Sequence, residues 1–234
     1  MTANHHSHSP AATPQPERKR ILVVDDHVMM RSGLTQLINQ HPALVVCGEA
    51  GSPAEAMGKI PRCHPDLIVA DLTMKEGSGF EFIKNVLAVH ENIPILVVSM
   101  HDESIYAERV LRAGACGYIM KEESADGLIT AILRVLDGGI YLSDAMSARL
   151  LKSITGRQPH SLHSPLQKLT DREFEIFQLI GGGNSTKEIA GRLHLSPSTV
   201  DVHRAHIREK LQLKNASALV YYAVQWVRSE SNVA

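Results

Sequence analysis

Apolar residues fall in two regimes along the chain. Between Arg20 and Leu142, short apolar runs alternate with amphipathic stretches: Ile21 to Val24, Leu44 to Cys47, Leu67 to Ala70, Ile95 to Ser99 and Gly117 to Met120. Each run is the length of a strand, and the stretches between them carry apolar residues at helical spacing. The last stretch is the clearest, with Leu128, Ile132, Val135 and Leu136 following a Ser124 cap. Alternation of this kind predicts a doubly wound α/β domain, a five-stranded parallel sheet covered by helices on both faces. Beyond Leu142 the strand signal stops. Turn formers dominate Ser153 to Gln167, after a short helix predicted around Asp144 to Leu151. From Leu169 onward the signals are all helical. Thr170 with Glu173 and Ser185 with Glu188 are capping boxes, and Ser196 followed by Pro197 starts a third helix. Leu219, Tyr222, Ala223, Trp226 and Val227 form the stripe of a fourth. The predicted division is a disordered tail over residues 1–18, an α/β domain over 19–142, a linker over 143–165 and an all-α four-helix domain over 166–234.

A length of 234 residues accommodates two modest domains. The formal net charge of −1 encodes no bulk attraction to nucleic acid or membrane, so any such surface must be local. The three cysteines, Cys47, Cys63 and Cys116, form no CxxC pair and lie beside apolar residues, which predicts buried free thiols. No apolar run approaches the roughly 20 residues of a membrane span, and the first residues lack the apolar core of a signal peptide. A cytoplasmic protein is expected. His5, His6 and His8 stand in the polar tail without a second ligand cluster, so a metal site there is not expected.

In an open parallel sheet, ligands bind beyond the carboxyl ends of the strands. Here the first run is followed by Asp25 and Asp26, the third by Asp71, the fifth by Lys121, and the fourth ends in Ser99. Three clustered carboxylates need a counter-charge, and hard oxygen ligands suit Mg²⁺. A carboxylate can also attack phosphorus, a transfer that depends on positioning and charge neutralisation. Asp71 is then the nucleophile, Mg²⁺ and Lys121 the neutralisers, and Ser99 a hydroxyl donor. Any one of these residues alone is as readily a turn, cap or solvated side chain; their joint placement at successive strand ends carries the reading.

The segments "ILVVDDHVMMRSGL", "PDLIVADLTMKEGSGFEFI", "IPILVVSMHDE" and "AGACGYIMKEES" resemble the receiver domain of two-component response regulators, a flavodoxin-like fold. The resemblance implies that Asp71 is the phosphoacceptor. Asp25, Asp26 and Asp71 hold Mg²⁺ with the Thr73 carbonyl, while Ser99, Tyr118 and Lys121 bind the phosphoryl group and switch. Lys75 departs from the pattern, standing where the family usually has Pro.

The segment from Leu169 to Val224 resembles the LuxR-type helix-turn-helix domain, so the whole chain resembles a NarL/FixJ-type response regulator. "PSTVDVHRAHIREKL" is then the helix that enters the major groove, over residues 197–211. The resemblance assigns Ser198, Thr199, Asp201, Val202 and Ala205 to the groove and Thr186, Lys187, His203 and Arg204 to the DNA backbone. Val200, Ile207 and Leu211 pack the bundle. Between Thr186 and Lys214 six basic residues face three acidic ones, a modest excess that does not by itself imply DNA. Asp201 departs from the family, where this position is often basic; it either reads a cytosine amino group or lowers affinity. The last helix is assigned to dimer formation by resemblance, with internal packing as the alternative.

The implied function is a phosphorylation-dependent transcription regulator. Its expected partners are a sensor histidine kinase and double-stranded promoter DNA, with a homodimer on phosphorylation, RNA polymerase as a further contact and no membrane. An aspartate-based phosphohydrolase would need a second Asp two residues after the nucleophile, where this chain has Thr73, so no enzyme is expected.

Overall fold

The computed structural model describes residues 17–75, 77–154 and 165–231. Residues 1–16 of the predicted disordered tail, including His5, His6 and His8, and the middle of the predicted linker lie outside the described residues; at the end of the predicted tail Arg18 is instead held, donating to the Asn39 carbonyl at 3.1 Å.

The first unit runs β1 (Lys19–Val24), α1 (Val28–Gln40), β2 (Leu44–Ala50), α2 (Pro53–Cys63), β3 (Leu67–Asp71), α3 (Gly79–Val89), β4 (Ile95–Ser99), α4 (Glu103–Arg112), β5 (Gly117–Met120) and α5 (Ala125–Leu136). Its five strands are all parallel, in the order β2-β1-β3-β4-β5. Because side chains alternate across a strand, each apolar run feeds two cores. Ile21, Val23, Leu67, Val69, Leu96 and Val98 face α1 and α5, whereas Leu22, Val24, Ile68, Ala70, Ile95 and Val97 face α2, α3 and α4. This is why the runs lack polar interruptions: both faces are buried. Serine and aspartate side chains start α2 to α5, with Ser52, Ser78, Asp102 and Ser124 each accepting a backbone N–H of the first turn, whereas α1 follows His27 without a side-chain cap.

After α6 (Asp144–Ile154) and a 3₁₀ turn (Pro165–Lys168) come α7 (Asp171–Gly181), α8 (Thr186–Arg192), α9 (Pro197–Lys210) and α10 (Ala216–Ser231). Both capping boxes form, at Thr170 with Glu173 and at Ser185 with Glu188. Leu219 and Ala223 are fully buried, and Trp226 packs edge-on to Phe174 and tilted to Phe177 of α7, so the apolar stripe of α10 is spent inside the bundle. Val220 and Tyr221 are the large apolar side chains of α10 that stay exposed among the described residues. Gly181 sits where α7 and α10 approach so closely that a Cβ would meet the Ala223 carbonyl.

The helical unit docks through α7 on the α3–α4 face of the first. Arg109 of α4, buried, donates to the carbonyls of Leu169 (2.8 Å) and Leu166, and lies 4.3 Å over the Phe174 ring. Lys84 of α3 pairs with Asp171 at 2.6 Å, Arg172 with Glu81, and the Ser78 hydroxyl with Glu175. Cys47, Cys63 and Cys116 are free thiols but half-buried rather than buried. Cys47 lies on the edge strand and Cys63 at the last position of α2, so neither is covered on both sides. Burial, reinforced by Cys63, pushes the Cys47 thiol up to about 11.

Candidate functional site

The strand order reverses between β1 and β3, and the carboxyl ends of these two neighbours carry Asp25, Asp26 and Asp71. Asp71 is the last residue of β3 rather than the first of a loop, which fixes its backbone in the sheet. Lys121, which follows β5, reaches across: its ammonium donates to Asp25 Oδ2 at 2.7 Å and to Asp71 Oδ2 at 2.8 Å, with all three side chains nearly fully buried. One ammonium is thus shared by two carboxylates. Burial pushes the Asp71 carboxyl above its ordinary range, with Lys121 opposing and Asp25 adding to the rise. Burial works to lower the Lys121 ammonium, but Asp71 and Asp25 outweigh it and hold it above its usual value.

The acidic group fits a cation. One oxygen or nitrogen donor from each of Asp25, Asp26, His27 and Asp71 lies within 4.8 Å of the others. Asp26 Oδ1 is buried and accepts no hydrogen bond, with His27 Nδ1 at 3.0 Å in ion-pair range. A buried carboxylate oxygen without a partner is costly, and a hard divalent ion satisfies it. Asp26 Oδ2 accepts from the Lys75 backbone N–H at 3.1 Å, with the Lys75 ammonium at 3.8 Å. The family's usual proline could not make the first of these bonds.

Around this group, the Thr73 N–H donates to Asp71 Oδ1 at 3.2 Å, and Ser99 Oγ accepts from the His101 N–H at 3.3 Å. Tyr118 is fully buried and its hydroxyl donates to the His101 carbonyl at 2.7 Å. Burial raises the Tyr118 phenol, so it stays a donor at neutral pH. His101 was not singled out by sequence reasoning, yet it links these parts. Its Nε2 is 2.8 Å from Thr73 Oγ1 and its ring stacks on Tyr106 at 4.6 Å. Tyr106 in turn bonds to Gln178 of α7 and meets Phe174 edge-on at 5.3 Å. The signal that could have found His101 is its place two residues beyond Ser99, at the same sheet edge. A cavity of about 600 Å³ opens beside these residues, between Thr73, Met100, Tyr106, Gln178 and Trp226.

On the helical unit, α8 and α9 form the predicted pair, joined by a turn with His194 at φ 53°. Ser198, Asp201, Val202 and Ala205 line an exposed face, and Thr199 is half-covered by its bond to Ser196 Oγ at 2.8 Å. Val200 and Ile207 are fully buried in the bundle, as expected, and Leu211 packs against it in part. Arg204 donates to Thr186 Oγ1 at 3.0 Å, which brings two of the expected backbone contacts together, and Lys187 is exposed. His203 differs: its Nδ1 is buried without a hydrogen-bond partner, and burial lowers its pKa. The domain contact uses α7, so the outer face of α9 stays open.

The response regulator receiver domain family matches residues 21–133, and the family of bacterial regulatory proteins of the luxR type matches residues 167–223. The chain is a response regulator. Among curated relatives, it is 35% identical to the oxygen regulatory protein NreC of Staphylococcus carnosus over 210 residues, covering 88% of this chain and 97% of that one. It is 35% identical to the transcriptional regulatory protein UhpA of Salmonella typhimurium over 201 residues, 86% and 95% of the two chains. Among solved structures, the RcsB response regulator of Salmonella typhimurium matches with a TM-score of 0.70 over 89% of this chain and 98% of that one; at 23% identity this concerns the fold. A LuxR-family response regulator from Aurantimonas matches with a TM-score of 0.55 at 30% identity, over 59% of this chain and 99% of that one. As a response regulator the chain is a phosphorylation-dependent, DNA-binding transcription regulator. Among the described residues no helix is long and apolar enough to cross a membrane.

Proposed function

We propose that this response regulator accepts a phosphoryl group on Asp71 from a sensor histidine kinase, dimerises, and binds promoter DNA through α9. The single observation that carries the reading is Lys121 held between Asp25 and Asp71, a fixed positive charge beside the carboxylate that would be phosphorylated. In the transfer, an Asp71 oxygen forms the O–P bond as the N–P bond of a phosphohistidine breaks and the imidazole leaves. Asp25, Asp26, Asp71 and the Thr73 carbonyl would hold Mg²⁺, which supplies neutralisation of the phosphoryl charge. Lys121 moves from sharing two carboxylates to pairing with the new phosphoryl oxygens. Ser99 donates its hydroxyl to one of those oxygens, and Tyr118 follows it. The proposed groove contacts are Ser198, Thr199, Asp201, Val202 and Ala205, with Thr186, Lys187, His203 and Arg204 toward the backbone. RNA polymerase is a proposed further partner, and the chain itself carries no hydrolase activity toward small substrates.

The test is phosphoryl incorporation from acetyl phosphate with and without Mg²⁺, in wild type and Asp71→Asn, with oligomeric state followed in the same samples. Label that needs both Mg²⁺ and Asp71, accompanied by dimer, is the expected result. Absence of label under conditions that label a control receiver overturns the phosphoacceptor assignment.

A further inference from the structure

A second group of side chains able to ligate a metal lies in the helical unit. His203 and His206 stand one turn apart on α9, and Glu173 faces them from the first turn of α7. One donor atom from each lies within 4.8 Å of the other two.

The fold explains why these donors meet. Val200 and Ile207 anchor α9 in the core, and His203, three residues after the first and four before the second, is drawn inward with them. Its Nδ1 ends buried with no hydrogen-bond partner. Glu173 is 3% exposed, held by the capping box. Its two oxygens are used unequally: Oε2 accepts from the Thr170 N–H at 2.8 Å and from the Lys210 ammonium at 2.6 Å, whereas Oε1 points toward His206 Nδ1, 3.9 Å away.

We propose that Glu173, His203 and His206 form a binding site for a borderline divalent transition-metal ion of the zinc class. Two imidazole nitrogens and one carboxylate oxygen are ligands that zinc takes and Mg²⁺ does not favour, and three protein donors leave a fourth position for water. Metal bonds of about 2.1 Å in tetrahedral geometry place donors roughly 3.4 Å apart. The 3.9 Å separation therefore closes by about half an ångström, within reach of the half-exposed His206 side chain. Lys210 competes for the same carboxylate from its other oxygen. The ion would satisfy the stranded His203 nitrogen and pin α9 to α7.

The test uses the full chain carrying His5→Ala, His6→Ala and His8→Ala, which removes tail histidines as competing ligands, with Mg²⁺ in excess to occupy the acidic pocket. Zn²⁺ is added in thermal unfolding and Co²⁺ in visible absorption. Expected are a rise in Tm of about 5–10 °C at a hundredfold excess of Zn²⁺ over its Kd, and the intense d–d bands of tetrahedral Co²⁺. His206→Ala, at an exposed position, should weaken binding at least tenfold without altering the metal-free Tm, and Lys210→Met should tighten it. Absence of a Zn²⁺ shift overturns the site. So does a shift that survives His206→Ala undiminished, since the ion then sits elsewhere.

Discussion

Lys121→Met tests the electrostatic core of the proposed phosphorylation site. In wild type the ammonium lies 2.7 and 2.8 Å from two carboxylate oxygens, and none of the three side chains is more than 4% exposed. At an effective dielectric constant of about 20, each contact contributes roughly 6 kcal/mol of attraction, and desolvation of the ions cancels much of it. Removing the cation leaves Asp25 and Asp71 facing each other with nothing between them. The loss is bounded, because Asp71 can take up a proton. Moving a carboxyl from its ordinary 3.8 to a protonated state at pH 7 costs about 4 kcal/mol. The variant should therefore lose about 3–4 kcal/mol at neutral pH in Mg²⁺-free buffer, near the usual cost of breaking a buried pair. The pH dependence has a definite sign. The folded variant binds a proton on Asp71 that the unfolded chain releases above about 3.8. Lowering the pH toward 5 thus recovers about 1.4 kcal/mol per unit, and raising it toward the elevated folded pKa removes that stability. Urea unfolding followed by far-UV circular dichroism between about pH 5 and 7 measures this directly. A loss below about 1 kcal/mol, or one that is the same at both ends of that range, would refute the role of Lys121 as the neutralising charge.

Burial lifts Glu175 to about 7, helped by Glu81 and Asp171 and opposed by Arg172, so the stability it lends the closed domain contact is complete below about 4.5 and lost as pH rises through 7. Small-angle scattering should show expansion above neutral pH in wild type and none in Glu175→Gln. Arg109→Ala removes the bonds to the Leu169 and Leu166 carbonyls and the cation over Phe174; docking should weaken by about 2–4 kcal/mol, seen as two separate unfolding transitions where wild type shows one. Thr170→Ala removes one half of a capping box and should cost the helical unit about 1 kcal/mol in urea unfolding. Arg204→Ala should weaken DNA binding alike on all sequences and reduce the salt slope by about 1, measured by fluorescence anisotropy at several ionic strengths.

The strands were legible because burial on both faces forbids polar interruption, so Ile21 to Val24 and Ile95 to Ser99 stand out as unbroken runs. The convergence of Asp25, Asp26, Asp71 and Lys121 was legible for a topological reason: parallel strands all end at one edge, so the residues at the carboxyl ends of successive runs are the ones that meet. Capping boxes are local and were read directly. The features that could not be read depend on tertiary contact. Arg109 lies 60 residues from the Leu169 carbonyl it binds, and Ser78 lies 97 from Glu175. Nothing in the local pattern of "ERVLR" distinguishes a solvated arginine from one buried under another domain. The stripe of α10 was ambiguous on its own terms; its use inside the bundle is decided by Phe174 and Phe177, which the α10 sequence does not contain.

The domain contact and the acidic pocket are also one packed structure. The core on the α3–α4 face runs without a break from Leu22 and Ala70 through Tyr106 to Phe174 and Leu219. Side chains connect the same ends: Asp71 to the Thr73 N–H, Thr73 to His101, His101 to Tyr106, and Tyr106 to Gln178 and Phe174. Contiguity becomes coupling only where some element has two arrangements that both ends bias. His101 is the element held from both sides, by its backbone at Ser99 and Tyr118 and by its ring at Thr73 and Tyr106. A displaced Tyr118 hydroxyl would break its bond to the His101 carbonyl, and a shifted His101 ring would unstack Tyr106 from the surface on which α7 rests. Because α7 rather than α9 makes the domain contact, such a change would act on the placement of the whole helical unit. The outer face of α9, already open, would be repositioned and not uncovered.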